Sequence, residues 1–283
     1  MAVFVLASCG GPFEPHEASV ESETPHTRAT FHGAMALAFL QRHRDSAPLD
    51  TAFALNAWGT PEALSLASHI LSVHDPDAGH PLRRLIDPNH PIPEGRSTSW
   101  TVPSDGRKVH VHRVLVEAVD CDRSGWRPQT ETWVCGPMRD GGGYGSTHAA
   151  WALLLARSRG CTPAACLGAI TDELMAAAQG ASPPATTLDV DLQAERILFA
   201  ALAGRSVPDA WRQSVAKWQG DDGGIAVSAA DPLEHRIHAT AVALWAEAVL
   251  KNGPPTPSPP NSSGTRGPEP ARGGSPSPPP PPG

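Results

Sequence analysis

The chain lacks any run of 18 or more apolar residues, so no segment of it reads as a membrane span. It is poor in lysine: Lys108, Lys217 and Lys251 stand among many arginines, and the basic residues form no stripe. With a formal net charge of −7, the electrostatic footprint of a general nucleic-acid binder is missing. Tyrosine is reduced to Tyr144 and phenylalanine to six residues, whereas tryptophan is abundant at eight. After Gly253 the apolar side chains run out, Ala271 excepted, leaving proline, glycine, serine, asparagine, threonine and scattered charges. Such a segment buries too little to offset its ordering entropy, so residues 253–283 are predicted to be disordered and partly polyproline II. Residues 1–24 form an N-terminal segment and linker. Residues 25–252 remain, roughly 225 residues and enough for one domain with a sizeable core.

What the chain has in plenty is apolar helix. Asp140 to Cys161 passes from a glycine-rich turn into a helix with no polar residue between Ala149 and Ala156. A helix apolar all round is buried in other protein. The design recurs at 219–227 (QGDDGGIAV) followed by 238–250 (HATAVALWAEAVL), and Asp189–Ala203 is largely apolar again. Pro163–Gln179 and Pro208–Gln219 are one-faced, the former with Leu167, Ile170, Leu174 and Ala178 on one stripe. Helices are also expected at Thr27–Arg42, Leu49–Trp58, Pro61–Val73 and Val109–Val119, with irregular chain at 75–107 and a long loop at 120–146. His148, Gln193 and His238 recur at a spacing of 45, each near the start of an inner helix, within the range of two-helix repeats. Alternating all-apolar and one-faced helices predict two concentric layers, an all-α fold of the α/α-toroid type.

On these residues the chain resembles the terpenoid cyclase and protein prenyltransferase superfamily. Gln219-Gly-Asp-Asp222-Gly223-Gly224-Ile225 is similar to its Q-x-x-D-G-x-W repeat signature, with Ile225 in place of the closing tryptophan, and Asp140-Gly-Gly-Gly-Tyr144 is a looser copy. The resemblance implies an α/α toroid of about five or six helical hairpins. The family's D-x-D-D acid is incomplete in Leu188-Asp189-Val190-Asp191-Leu192, where Asp189 reads better as a helix N-cap. Against the prenyltransferase zinc set of Asp, Cys and His, the resemblance aligns Asp191 and His238, with Gln193 where the cysteine belongs. The thioester toroids carry C-G-E-Q. Cys135-Gly136 is followed by Pro137 and Met138, which excludes that chemistry.

Leu6-Ala7-Ser8-Cys9 resembles the bacterial lipobox, which implies lipidation at Cys9 and attachment to the cell envelope, the only membrane association expected. Cys121, Cys135, Cys161 and Cys166 then remain, an even number that suits two disulfides in an exported protein. Three connectivities are open, and local pairing (121 with 135, 161 with 166) would close short loops. Four reduced thiols in a cytoplasmic protein is the other reading.

In a toroid the inner-helix starts gather at one end, so His148 and His238 are expected to meet Asp191 there, with Asp140 and His32 or His112 as further candidates. A helix N-terminus disfavours the imidazolium, and neutral imidazole binds metal or acts as a base. His148, Asp191 and His238 are therefore the candidate catalytic or zinc-binding set. Asp140, Tyr144, Trp126 and Trp133 are candidate ligand contacts at the cavity mouth. The leading functional reading is an envelope toroid that binds a small molecule, glycan or peptide in its central cavity. A hydrolase, lyase or transferase using the histidine–aspartate site comes second, and a terpene cyclase third.

Overall fold

The computed structural model describes residues 30–75, 80–87, 89–91, 111–161 and 166–253. The lipobox-like segment with Cys9, and the chain after Gly253, lie outside them. The described residues are all-helical: α1 (Gly33–Arg42), α2 (Leu49–Trp58), α3 (Pro61–His74), α4 (Val111–Ser124), α5 (Pro128–Trp133), α6 (Tyr144–Ser158), α7 (Cys166–Gln179), α8 (Thr187–Leu202), α9 (Asp209–Ala216) and α10 (Leu233–Asn252). None is long and apolar enough to cross a membrane.

Local chemistry sets several boundaries. Thr60 accepts a hydrogen bond from the Ala63 amide and Pro61 opens α3, where a missing N–H costs nothing. Asp189 does cap α8, but from inside its first turn. Its carboxylate accepts from the amides of Ala185 and Thr186, and Thr186 holds the N-cap position expected for Asp189.

The all-apolar helices occupy the interior. In α6 the run from Ala149 to Leu154 is buried on every side, and the middles of α8 and α10 are covered likewise. Their packing order is α2, α10, α8, α6, α4. The amphipathic helices lie on this row: α3 on α2, α1 on α10, α9 on α8, and α7 against both α6 and α8. The stripe of Leu167, Ile170, Leu174 and Ala178 is the buried face of α7, as its spacing predicts.

The segment 120–146 departs from the loop expected of it. α4 continues to Ser124, and α5 leads through a π-turn (Val134–Met138) back towards the start of α6. Two things hold this segment helical. Buried Glu117 on α4 accepts from the Arg127 guanidinium and the Thr130 hydroxyl. The wider π-turn accommodates Pro137, whose ring would break an α-helical turn. The disulfides join Cys121 to Cys161 and Cys135 to Cys166 rather than pairing locally. Because 125–138 folds as a second helical leg, Cys121 faces the end of α6 and Cys135 faces the start of α7. The Cys121–Cys161 bridge brings the C-terminal ends of α4 and α6 together.

Residues 80–87 are fastened by two neighbouring arginines. Arg83 reaches Asp75 and the Leu71 carbonyl at the end of α3. Buried Arg84 bonds Asp120, Asp122 and the Val119 carbonyl at the end of α4, at 2.7–3.0 Å.

The Gln219–Ile225 signature is a structural clasp. Fully buried Gln219 accepts from the His32 amide at 2.7 Å and donates to the His32 and Gly223 carbonyls, tying this turn to the start of α1. Gly223 has φ +89°, and a Cβ there would stand 2.1 Å from the Met35 carbonyl oxygen. Gly223→Ala is therefore expected to destabilise the fold by about 3 kcal/mol, read as a melting temperature lower by roughly 6–12 °C. A loss below about 3 °C would show that the clasp yields freely.

Candidate functional site

α2, α6, α8 and α10 bring their N-terminal ends together, and the first three turns contribute polar side chains: Asp50; Tyr144, Thr147 and His148; Asp191 and Glu195; and His238. His238 lies between two carboxylates, with Nδ1 2.8 Å from Asp191 Oδ1 and Nε2 3.2 Å from Asp50 Oδ2. The Tyr144 hydroxyl lies 2.7 Å from Asp191 Oδ2 and 3.0 Å from the Leu188 carbonyl, and its proton is shared between these acceptors. The Thr147 hydroxyl meets Glu195. His148 Nδ1 is 2.7 Å from the Tyr144 carbonyl, so it must donate there, and it stands 3.9 Å from Glu195.

These contacts set the protonation states. Burial works against a charged His238, but the Asp191 and Asp50 carboxylates and their hydrogen bonds outweigh it and hold the imidazole well above its usual value. The helix N-terminus was expected to keep this ring neutral, and that expectation is overturned: two direct carboxylate contacts dominate a partial charge. Burial would raise Asp50, yet the charge and hydrogen bond of His238 bring it below the ordinary carboxylate range. Burial raises Glu195, with Asp191 adding to the effect and His148, His238 and Thr147 opposing it. Burial, then Asp191, pushes the Tyr144 phenol upward, so it stays a donor.

One helical turn deeper, Trp151 stacks on Phe199 and meets Trp245 edge-on, each at 5.8 Å between ring centroids. These rings, from α6, α8 and α10, meet next to the polar cluster. The polar groups themselves form a partly exposed cluster. Asp191 and Glu195 are nearly covered, at 2% and 4% side-chain exposure, while His148 and His238 reach solvent at 22% and 29%.

The site therefore assembles His148, Asp191, His238 and Tyr144 at one end. Among the described residues, the group able to hold a metal is Asp191, Glu195 and His238, with Glu195 in the role expected of His148. The other candidates fall elsewhere. Asp140 is exposed in the turn before α6, and the His32 backbone engages Gln219 in the clasp. The side chain of His112, at the start of α4, lies outside the described residues. Trp126, just past the C-terminal end of α4, donates to Glu131 at 3.0 Å. Trp133 packs half-buried on the core at the end of α5.

Sequence reading missed Asp50, Thr147 and Glu195. Asp191 and Glu195 at i and i+4 on an apolar helix is the signal that would have found one of them. No family model, curated protein or solved structure matches this chain.

Proposed function

We propose that this chain is an exported helical protein of the bacterial cell envelope, of α/α-toroid architecture, which binds a cationic ligand at the convergent helix starts. The lipobox-like Cys9 and the two disulfides support export, since disulfides persist in oxidising compartments. The order α2, α10, α8, α6, α4 with amphipathic helices packed on it supports the toroid.

One observation carries the binding reading: three carboxyls, Asp50, Asp191 and Glu195, surround a single engaged imidazole. The cluster has an excess of negative groups and favours positive charge. Binding is favoured over catalysis by His238, because both its ring nitrogens already face carboxylates and no lone pair is left for a base. A second reading, acid–base chemistry as in a hydrolase, lyase or transferase, rests on His148. Its Nδ1 donates to a carbonyl, so the neutral ring presents its lone pair at Nε2. A terpene cyclase finds less support: Asp189 is spent on capping α8, and Leu192 stands where the last acid belongs.

The binding reading predicts that spermidine, agmatine or choline raises the melting temperature of metal-free protein, whereas citrate and phosphate do not. At a hundredfold excess over Kd the gain is about 2.7 kcal/mol, or roughly 5–10 °C. Stabilisation by the anions instead would overturn it.

A further inference from the structure

The cationic-ligand reading can be carried further, to the identity of the cation. Asp191, Glu195 and His238 each offer one ligating atom, and these atoms all lie within 4.8 Å of one another. Donors around one zinc-sized ion sit roughly 3–4 Å apart when their bonds are about 2.0–2.2 Å long. Small side-chain movements therefore close the set.

Each donor residue is also held by a group outside the set. Tyr144 holds Asp191 Oδ2, Thr147 holds Glu195, and Asp50 holds His238 Nε2. A metal-bound imidazole whose other nitrogen is held by a carboxylate is the usual outer arrangement of such centres. This leaves Asp191 Oδ1 and His238 Nδ1 facing each other.

Charge points the same way. The charged groups around this space are Asp50 from α2, His148 from α6, Asp191, Glu195 and Arg196 from α8, and His238 from α10. Two almost fully buried carboxyls one turn apart on α8 are balanced by a doubly positive ion, which also frees His238 to bind as neutral imidazole.

We propose that Asp191, Glu195 and His238 bind one divalent transition-metal ion of the zinc class, with Asp50, Tyr144 and Thr147 orienting the donors and the remaining positions open to water. One imidazole with two carboxylates suits zinc or manganese rather than a softer ion.

The test is calorimetric titration of zinc chloride into chelator-treated full-length protein. One ion per chain is expected, with Kd of about 1 μM or tighter. Glu195→Gln and His238→Gln should each weaken binding at least about tenfold, and Glu173→Gln, on the exposed face of α7, should leave it unchanged. Glu195→Gln keeps the side-chain shape and an acceptor for Thr147, so it should fold as the parent does. Failure of both zinc and manganese to bind at about 100 μM, or zinc binding that Glu195→Gln does not weaken, would overturn the proposal. If organic cations still stabilise the protein when metals fail, the metal assignment falls and the cation-binding cluster stands. If neither binds, both fall.

Discussion

Replacing Cys121 and Cys161 together by alanine is expected to lower the melting temperature by about 8–16 °C. The bridge spans 40 residues, and closing a loop of that length in the unfolded chain is worth about 4 kcal/mol. In the native state it joins the ends of α4 and α6, beside buried Cys121 and close to the Arg84 network. The Cys135–Cys166 bridge spans 31 residues and fixes the π-turn before α6 to the start of α7, so its loss should cost nearly as much. Thermal melting of the paired variants measures the cost. A non-reducing peptide map should recover 121 linked to 161 and 135 linked to 166. Alkylation of all four thiols in native protein, or bridges between 121 and 135, would contradict this connectivity and weaken the case for export.

The polar end of the fold was legible where it depends on helix periodicity, and illegible where it depends on chain reversal. The 45-residue spacing of His148, Gln193 and His238 predicted three inner helices, and the three residues do fall in α6, α8 and α10. The contact between Asp191 and His238 follows from that register. Asp50 could not be read the same way, because its helix lies outside the repeat and joins the site only by packing on α10. The outer leg at 125–138 was hidden for another reason. Gly136-Pro137 argues against helix locally, and only the buried Glu117 contacts and the π-turn make helix the better solution. The meeting of Trp151, Phe199 and Trp245 from three different helices is likewise a convergence that no local pattern reveals.

His238→Ala is expected to cost about 3 kcal/mol in metal-free protein, the lower end for a broken buried ion pair because the imidazole is 29% exposed. A melting temperature lower by roughly 6–12 °C is the corresponding readout. The cost arises mainly from Asp191, which remains buried without its cation, and would be only about 1 kcal/mol if His238 were a mere helix cap. The pH dependence separates these accounts. Folding raises the His238 pKa well above its usual 6.5, so the imidazolium contribution is complete below that value and is lost as pH rises through the folded pKa. The raised carboxyl of Glu195 acts in the same direction, since the buried charged form is penalised as pH rises from its usual 4.5 through its folded value. The depressed Asp50 acts oppositely, but its contribution is lost only as pH falls below the usual 3.8. The gap in melting temperature between wild type and His238→Ala should therefore be widest near about pH 6 and should narrow as the solution becomes alkaline. Glu195 is present in both proteins and changes this gap far less than it changes either curve. A gap that is constant from neutral to alkaline pH would mean that His238 is uncharged in the fold and that Asp50 and Asp191 do not clamp it as an imidazolium.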